Sequence, residues 1–148
     1  MADKKKFKPE LKGGLWVVIG SPEAARWAVK QAVAAAVFCT VATAGVAIWA
    51  HYSPEMAART GLNIWALFDA FIFLAIAIGL YFNSRVAAVA GLAFYLFERA
   101  MALPSTPPSA WIVIAILIMG FIGGVRGTFA HHRFAREAPV PMDAPIQP

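Results

Sequence analysis

One cysteine, Cys39, is all that 148 residues offer, so no intrachain disulfide framework can hold the fold. It lies inside an apolar run, where a thiol behaves as a small hydrophobe, and cysteine usage therefore says nothing about redox compartment. Charge is the second shortage: 14% of residues are Asp, Glu, Lys or Arg, against about 25% in an ordinary soluble domain. There are three histidines, and no Cys/His cluster has zinc spacing. A nucleophile elbow, a phosphate-cradling glycine loop and a dinucleotide fingerprint are all missing. The chain reads as a non-enzyme without metal or cofactor.

What fills the sequence is hydrocarbon. Hydrophobic residues make up 60% of it, with mean hydropathy +0.65, where a soluble domain holds about 45–50%. The net charge of +5 is distributed at the ends of apolar runs, with Lys4, Lys5, Lys6, Lys8 and Lys12 crowded at the start. A groove-reading stripe for nucleic acid looks different. Those lysines are expected to meet anionic lipid headgroups, each contributing about 1 kcal/mol near the surface.

Apolar segments occur at about 32–50, 62–82, 86–103 and 110–126. Each approaches the roughly 17–25 residues that cross a hydrocarbon core, and helices satisfy every backbone polar group within the segment. The expected fold is all-α, a four-helix transmembrane bundle. Residues 1–21 form a basic cytoplasmic segment, 22–136 the membrane domain, and 137–148 a disordered proline-rich tail. Ser21-Pro22-Glu23 is a good helix start, and that helix should run unbroken into the first span. Leu15 to Ile19 could lie flat in the interface. The basic start followed by "ATA" at Ala42 to Ala44 resembles a signal peptide, but roughly thirty residues before the apolar stretch is too long a charged region.

Basic residues set the orientation. Lys4, Lys5, Lys6, Lys8, Lys12, Arg26, Lys30, Arg85, Arg126, Arg133 and Arg136 fall on one side, and Arg59 with Arg99 on the other. Both termini are therefore expected inside the cell. Trp49, Tyr52, Trp65 and Trp111 would mark the outer interface, and Trp27, Tyr81 and Phe82 the inner one.

Three charges interrupt the apolar runs: Asp69 in the second, Glu98 and Arg99 in the third. Helical angles of 100° per residue place Asp69 with Leu62, Ala66, Ala70, Phe73 and Ala77, opposite Ile64, Leu67, Phe68, Phe71 and Ile78. The same count places Glu98 and Arg99 with Ala88, Gly91, Tyr95 and Ala102, opposite Val86, Val89, Ala93, Leu96 and Phe97. Small residues mark helix contact in membranes, so Asp69, Glu98, Arg99 and Tyr95 should form an inward-facing polar cluster near the outer surface. The expected ion pair is Asp69 with Arg99. Glu98 is left to reach Arg59, to hydrogen-bond Tyr95 or Asn63, or to hold a proton. Such a cluster can staple the hairpin or form a responsive site.

The fourth run ends "MGFIGGVRGTFAHHRF". Gly120 with Gly124, and Gly123 with Gly127, are overlapping GxxxG spacings that suit close helix packing, within the chain or between copies. Ala36, Thr40 and Ala44 offer a matching ladder. Arg126 and Arg133 are interfacial basic residues, with Arg126 able to snorkel. His131 and His132 project about 100° apart, which makes them a solvated pair and not a shared ligand set. "GGVRGTFAHHRF", with "SRVAAVAGLAFYLFE" at Ser84 to Glu98, resembles the closing spans of small uncharacterised bacterial membrane proteins with four predicted helices. That resemblance implies a multi-pass protein of the bacterial inner membrane and no particular activity.

The function expected from these features is that of an accessory, assembly or oligomerising subunit acting by helix packing. The alternative is a small transporter or channel using Asp69, Glu98 and Arg99. A third possibility is a lipid or quinone pocket around Trp65, Phe73 and Tyr95.

Overall fold

The structure, a computed structural model, describes residues 11–12, 16–60 and 64–137. It is all-α, with four principal helices packed together: α1 (Pro22–Tyr52), α3 (Ala66–Tyr81), α4 (Arg85–Ala102) and α5 (Trp111–Glu137), and a short α2 (Pro54–Thr60) after α1. Two 3-10 turns, Leu103–Ser105 and Pro108–Ala110, carry the proline-rich link from α4 to α5. Leu11–Lys12 pairs antiparallel with Trp16–Val17, and this small ribbon touches α5. Backbone pairing therefore holds Trp16 and Val17. The expectations placed on residues 1–10 and 138–148, including Lys4, Lys5, Lys6 and Lys8, lie outside the described residues.

Local chemistry sets the helix ends. The Ser21 hydroxyl accepts from the Ala24 amide at 3.1 Å, with Pro22 in the first turn, so α1 starts well before its apolar stretch. Ser84 caps α4 in the same way, accepting from Ala87 at 3.3 Å. Between α3 and α4 the chain turns through Asn83 at φ 57°, a left-handed position that asparagine tolerates better than most residues. The Ser84 amide closes this turn on the Gly79 carbonyl at 2.9 Å. His132 of α5 reaches the Asn83 carbonyl at 3.1 Å. It is therefore docked on the hairpin, not simply solvated, because α5 continues past Arg126 and passes beside the turn.

The helices stand in a ring: α1 packs on α3 and α5, and α4 packs on the same two from the far corner. The core they enclose is made of small residues. Of the twenty buried hydrophobic residues among those described, twelve are alanine. The α1–α5 seam is the closest approach. Gly124 lies directly against Ala32, and Gly120 faces Ala35. A Cβ on Gly127 would come within 2.8 Å of the Ala25 carbonyl oxygen. The partner ladder on α1 is therefore Ala25, Ala28, Ala32 and Ala35, and not Ala36, Thr40 and Ala44. The reason is register. The glycines sit around the middle of α5, and an antiparallel neighbour meets them with the first half of its own length. Gly123 has open space around it.

Above the small-residue seam sits an aromatic knot. Phe73 and Phe121 are each 1% exposed and Tyr95 2%. Tyr95 stacks on Phe121 with centroids 5.3 Å apart, and Phe94 meets Phe73 edge-on at 5.2 Å. Trp65 is exposed and stacks on Phe68 at 5.4 Å. Trp65, just before α3, is turned outward while Phe73 and Tyr95 lie in the core, so the three do not gather around one pocket.

Candidate functional site

The three interrupting charges lie at one end of the bundle. Asp69 is in the first turn of α3, and Arg99 in the last turn of α4. An anion at a helix N-terminus and a cation at a C-terminus each gain about 0.3–1 kcal/mol from the backbone dipoles. Each charge is thus favoured by its own helix before any pairing. The helix begins at Ala66, so Asp69 is nearer the helix end than a span starting at Leu62 would place it; residues 61–63 lie outside the described residues.

Hairpin register decides who faces whom. One turn at a time from the tip, Gly79 meets Ala87, Ile76 meets Gly91, and Phe73 meets Phe94. The next turn brings Asp69 level with Glu98, and both line the same cavity. The expected Asp69–Arg99 ion pair is absent: among the described residues the salt bridge shorter than 4.0 Å is Arg133–Glu137 at 3.6 Å, on the exposed end of α5. Arg99 instead lays its guanidinium over the Tyr95 ring, 5.6 Å from the centroid. This is a cation–π contact, and it leaves Nε buried with no hydrogen-bond partner.

Around these groups the bundle opens into a cavity of about 560 Å3. Asp69, Glu98 and Arg99 supply its charge; Ala42, Thr43 and Val46 of α1 and Phe94, Phe97 and Met101 of α4 supply the rest of its wall. A smaller cavity of about 180 Å3 lies behind it, between α1, α4 and α5, sharing Thr43, Glu98 and Arg99 and reaching Cys39 and Tyr95. Asp69, Glu98 and Arg99 are half-buried, and Tyr95, itself buried, lines the smaller cavity. The small-residue faces named from helical angles are the ones turned inward: Ala66, Ala70, Phe73 and Ala77 on α3, with Ala88, Gly91 and Tyr95 on α4, are buried. The bulky faces, with Phe68, Phe71 and Ile78 on α3 and Val86, Val89, Leu96 and Phe97 on α4, are exposed.

The remaining site residues sit elsewhere. Gly120, Gly124 and Gly127 are taken up in the α1 seam, while Gly123 faces outward. Arg126 is exposed. Arg133 pairs with Glu137 and lies over Phe134. At the other end of the hairpin, Arg85 covers Phe129 at 5.1 Å. Thr128, fully buried, donates to the Val125 carbonyl at 2.9 Å. That burial and the His132–Asn83 contact had no clear signal in the sequence, because both depend on where α5 passes relative to other helices. Among the described residues no group of three His, Cys, Asp or Glu side chains is arranged to hold a metal. Compared with family models, curated proteins and solved structures, the chain matches none.

A double-mutant cycle reads the register directly. Asp69→Asn and Arg99→Gln should be additive in stability to within about 0.5 kcal/mol, as for sites that share no direct contact. Glu98→Gln should leave stability unchanged or raise it, because it removes the acid that faces Asp69. Thermal unfolding in a mild detergent measures all of these, and a large favourable Asp69–Arg99 coupling would restore the ion pair.

Proposed function

We propose that the chain is a multi-pass protein of the bacterial inner membrane, with both termini in the cytoplasm, acting through helix packing as an accessory or assembly subunit. The observation that carries this reading is the inverted distribution of bulk. Alanine and glycine line the interior, while Phe68, Phe71, Ile78, Val86, Phe97, Ile112 and Ile116 stand exposed on the outside. In water such a surface would aggregate; in lipid it is the ordinary arrangement, with small residues letting helices approach.

Lengths and ends agree with it. Two helices, Pro22–Tyr52 and Pro108–Glu137, are long and apolar enough to cross a membrane. The 16 residues of α3 and 18 of α4 rise about 24 and 27 Å, a little short of a hydrocarbon core near 30 Å. Trp49, Tyr52, Trp65 and Trp111 are exposed at one end of the bundle, and Tyr81 and Phe82 at the other, as an interfacial aromatic belt requires. The end with Arg26, Lys30, Arg85, Arg126, Arg133 and Arg136 carries the basic excess and is the cytoplasmic one. Three of the four glycines in the GxxxG overlap are used within the chain, so association with a partner falls to the bulky outward faces.

A second reading, a small transporter or channel, draws on the charged cavity. Opposing it is the knot of Phe73, Tyr95 and Phe121 directly beneath, followed by fully buried Leu80, with no ionisable side chain between Asp69 and Tyr81 on α3.

In a Cys39→Ala background, single cysteines at the α3–α4 turn (Ser84→Cys) and in the proline-rich link (Ser109→Cys) test the topology. The Ser109 variant should react with an impermeant maleimide on intact cells, and the Ser84 variant only after the membrane is opened. Reversed labelling overturns the orientation. Recovery in the soluble fraction after alkaline carbonate washing overturns the membrane assignment.

A further inference from the structure

The 560 Å3 cavity at the outer end of the bundle carries a pattern of charge that the packing does not explain. Two carboxylates, Asp69 and Glu98, lie level with each other on adjacent helices, and Arg99 stands beside them. No ion pair within the protein joins them. The guanidinium is held over Tyr95 with Nε buried and unbonded, and Arg99 lines the cavity. A simple anion would meet two carboxylates there, and a simple cation would meet the arginine. A ligand with both charges joined by a short bridge meets neither difficulty: its ammonium can lie between Asp69 and Glu98 and its anionic end on Arg99. Guanidinium groups bind phosphate with paired N–H donors.

The rest of the wall points to lipid as the source of that zwitterion. Phe97 and Met101, at the cavity's edge, are 63% and 71% exposed on the outer surface of α4. The mouth thus opens sideways along an apolar flank, where acyl chains would lie, as well as toward the end of the bundle. The hairpin is also short, so headgroups must dip toward it. A volume near 560 Å3 falls within the roughly 300–1,000 Å3 of small-molecule sites, enough for a headgroup and its glycerol.

We infer that this cavity binds the phosphoethanolamine headgroup of a phospholipid, ammonium to Asp69 and Glu98, phosphate to Arg99, with the chains leaving along Phe97 and Met101. This rests on the membrane reading above.

The test is lipid retention by detergent-purified protein, delipidated and then offered phosphatidylethanolamine or phosphatidylglycerol of identical chains, with bound lipid read by native mass measurement. Phosphatidylethanolamine should be retained about tenfold better, the change that one charge-assisted hydrogen bond makes. Asp69→Asn with Glu98→Gln should erase the preference. Arg99→Gln should weaken retention of both lipids, and Arg99→Lys, which keeps the charge but loses the paired N–H donors, should restore it only in part. Phosphatidylcholine, whose quaternary nitrogen has no N–H to donate, should bind more weakly than phosphatidylethanolamine. Equal retention of the two lipids by the native protein, or an unchanged preference in a monodisperse double-acid variant, overturns the assignment. Displacement by free phosphoethanolamine at matching concentration overturns the role of the chains. Failure of these arms in membrane-extracted protein leaves the membrane reading standing, whereas a protein that needs no detergent removes that reading before lipid is added.

Discussion

Gly124→Val is expected to unseat α5 from α1 and to destabilise the bundle by at least about 3 kcal/mol, at or beyond the upper end of overpacking penalties. The reason is geometric. Gly124 is buried, and a single added carbon would already overlap the Ala32 methyl group, with the Ala32 backbone just behind it at 3.7 Å. Neither can swing away as a long side chain would, so two helix axes must part. Gly123→Val is the matched control, since a side chain there meets nothing within 4 Å. Its effect should stay within about 0.5 kcal/mol, typical of surface changes. The two glycines are adjacent and share one motif, so general effects of valine on insertion or helicity would strike both. Gly124→Ala combined with Ala32→Gly exchanges the partners and should recover much of the loss. Thermal unfolding in detergent, followed by monodispersity, reads all four proteins. Equal losses at 123 and 124 would contradict the α1–α5 seam.

Phe73→Ala is the second large effect. The Phe73 ring is 1% exposed and touches Phe94, Tyr95 and Phe121 from two other helices. Removing a buried aromatic ring commonly costs about 3–5 kcal/mol, and the loss is larger where neighbours cannot collapse into the space. Here they cannot collapse easily, because α3 and α4 are already in contact at Gly79–Ala87 and Ile76–Gly91. The midpoint of thermal unfolding should fall by roughly 10 °C. Phe71→Ala, two residues away on the same helix but 70% exposed, should change it little. If the two variants behave alike, the inward face of α3 has been misassigned.

Much of this interior was legible in the chain. The contrast between Ala66, Ala70, Phe73 and Ala77 on one side of α3 and Phe68, Phe71 and Ile78 on the other needs only the 100° step of a helix, because side-chain direction is a local property. The start at Ser21-Pro22 was legible for the same reason. What spacing could not supply was the offset between helices. Asp69 opposite Glu98 instead of Arg99 is a difference of one residue in hairpin register, decided by how tightly the turn at Asn83 closes. The alanine ladder was misplaced for a related reason: Ala24, Ala28, Ala32 and Ala36 are spaced four apart in the sequence, but only the landing point of α5 tells which rungs are used. The pairing of Leu11–Lys12 with Trp16–Val17 was not legible, since the run of lysines before it read as a basic tail.

The α1–α5 seam also has a consequence in time. The alanine rungs in the first half of α1 meet glycines around the middle of α5, roughly ninety residues later in the chain, so the face made early must wait for a helix made much later. During that interval the small-residue face of α1 lacks the helix that covers it and stays open to other helices. Closure by α5 is therefore the step that commits the newborn protein to its own interior, and cells that shorten its synthesis before residue 124 would leave that face for others to occupy.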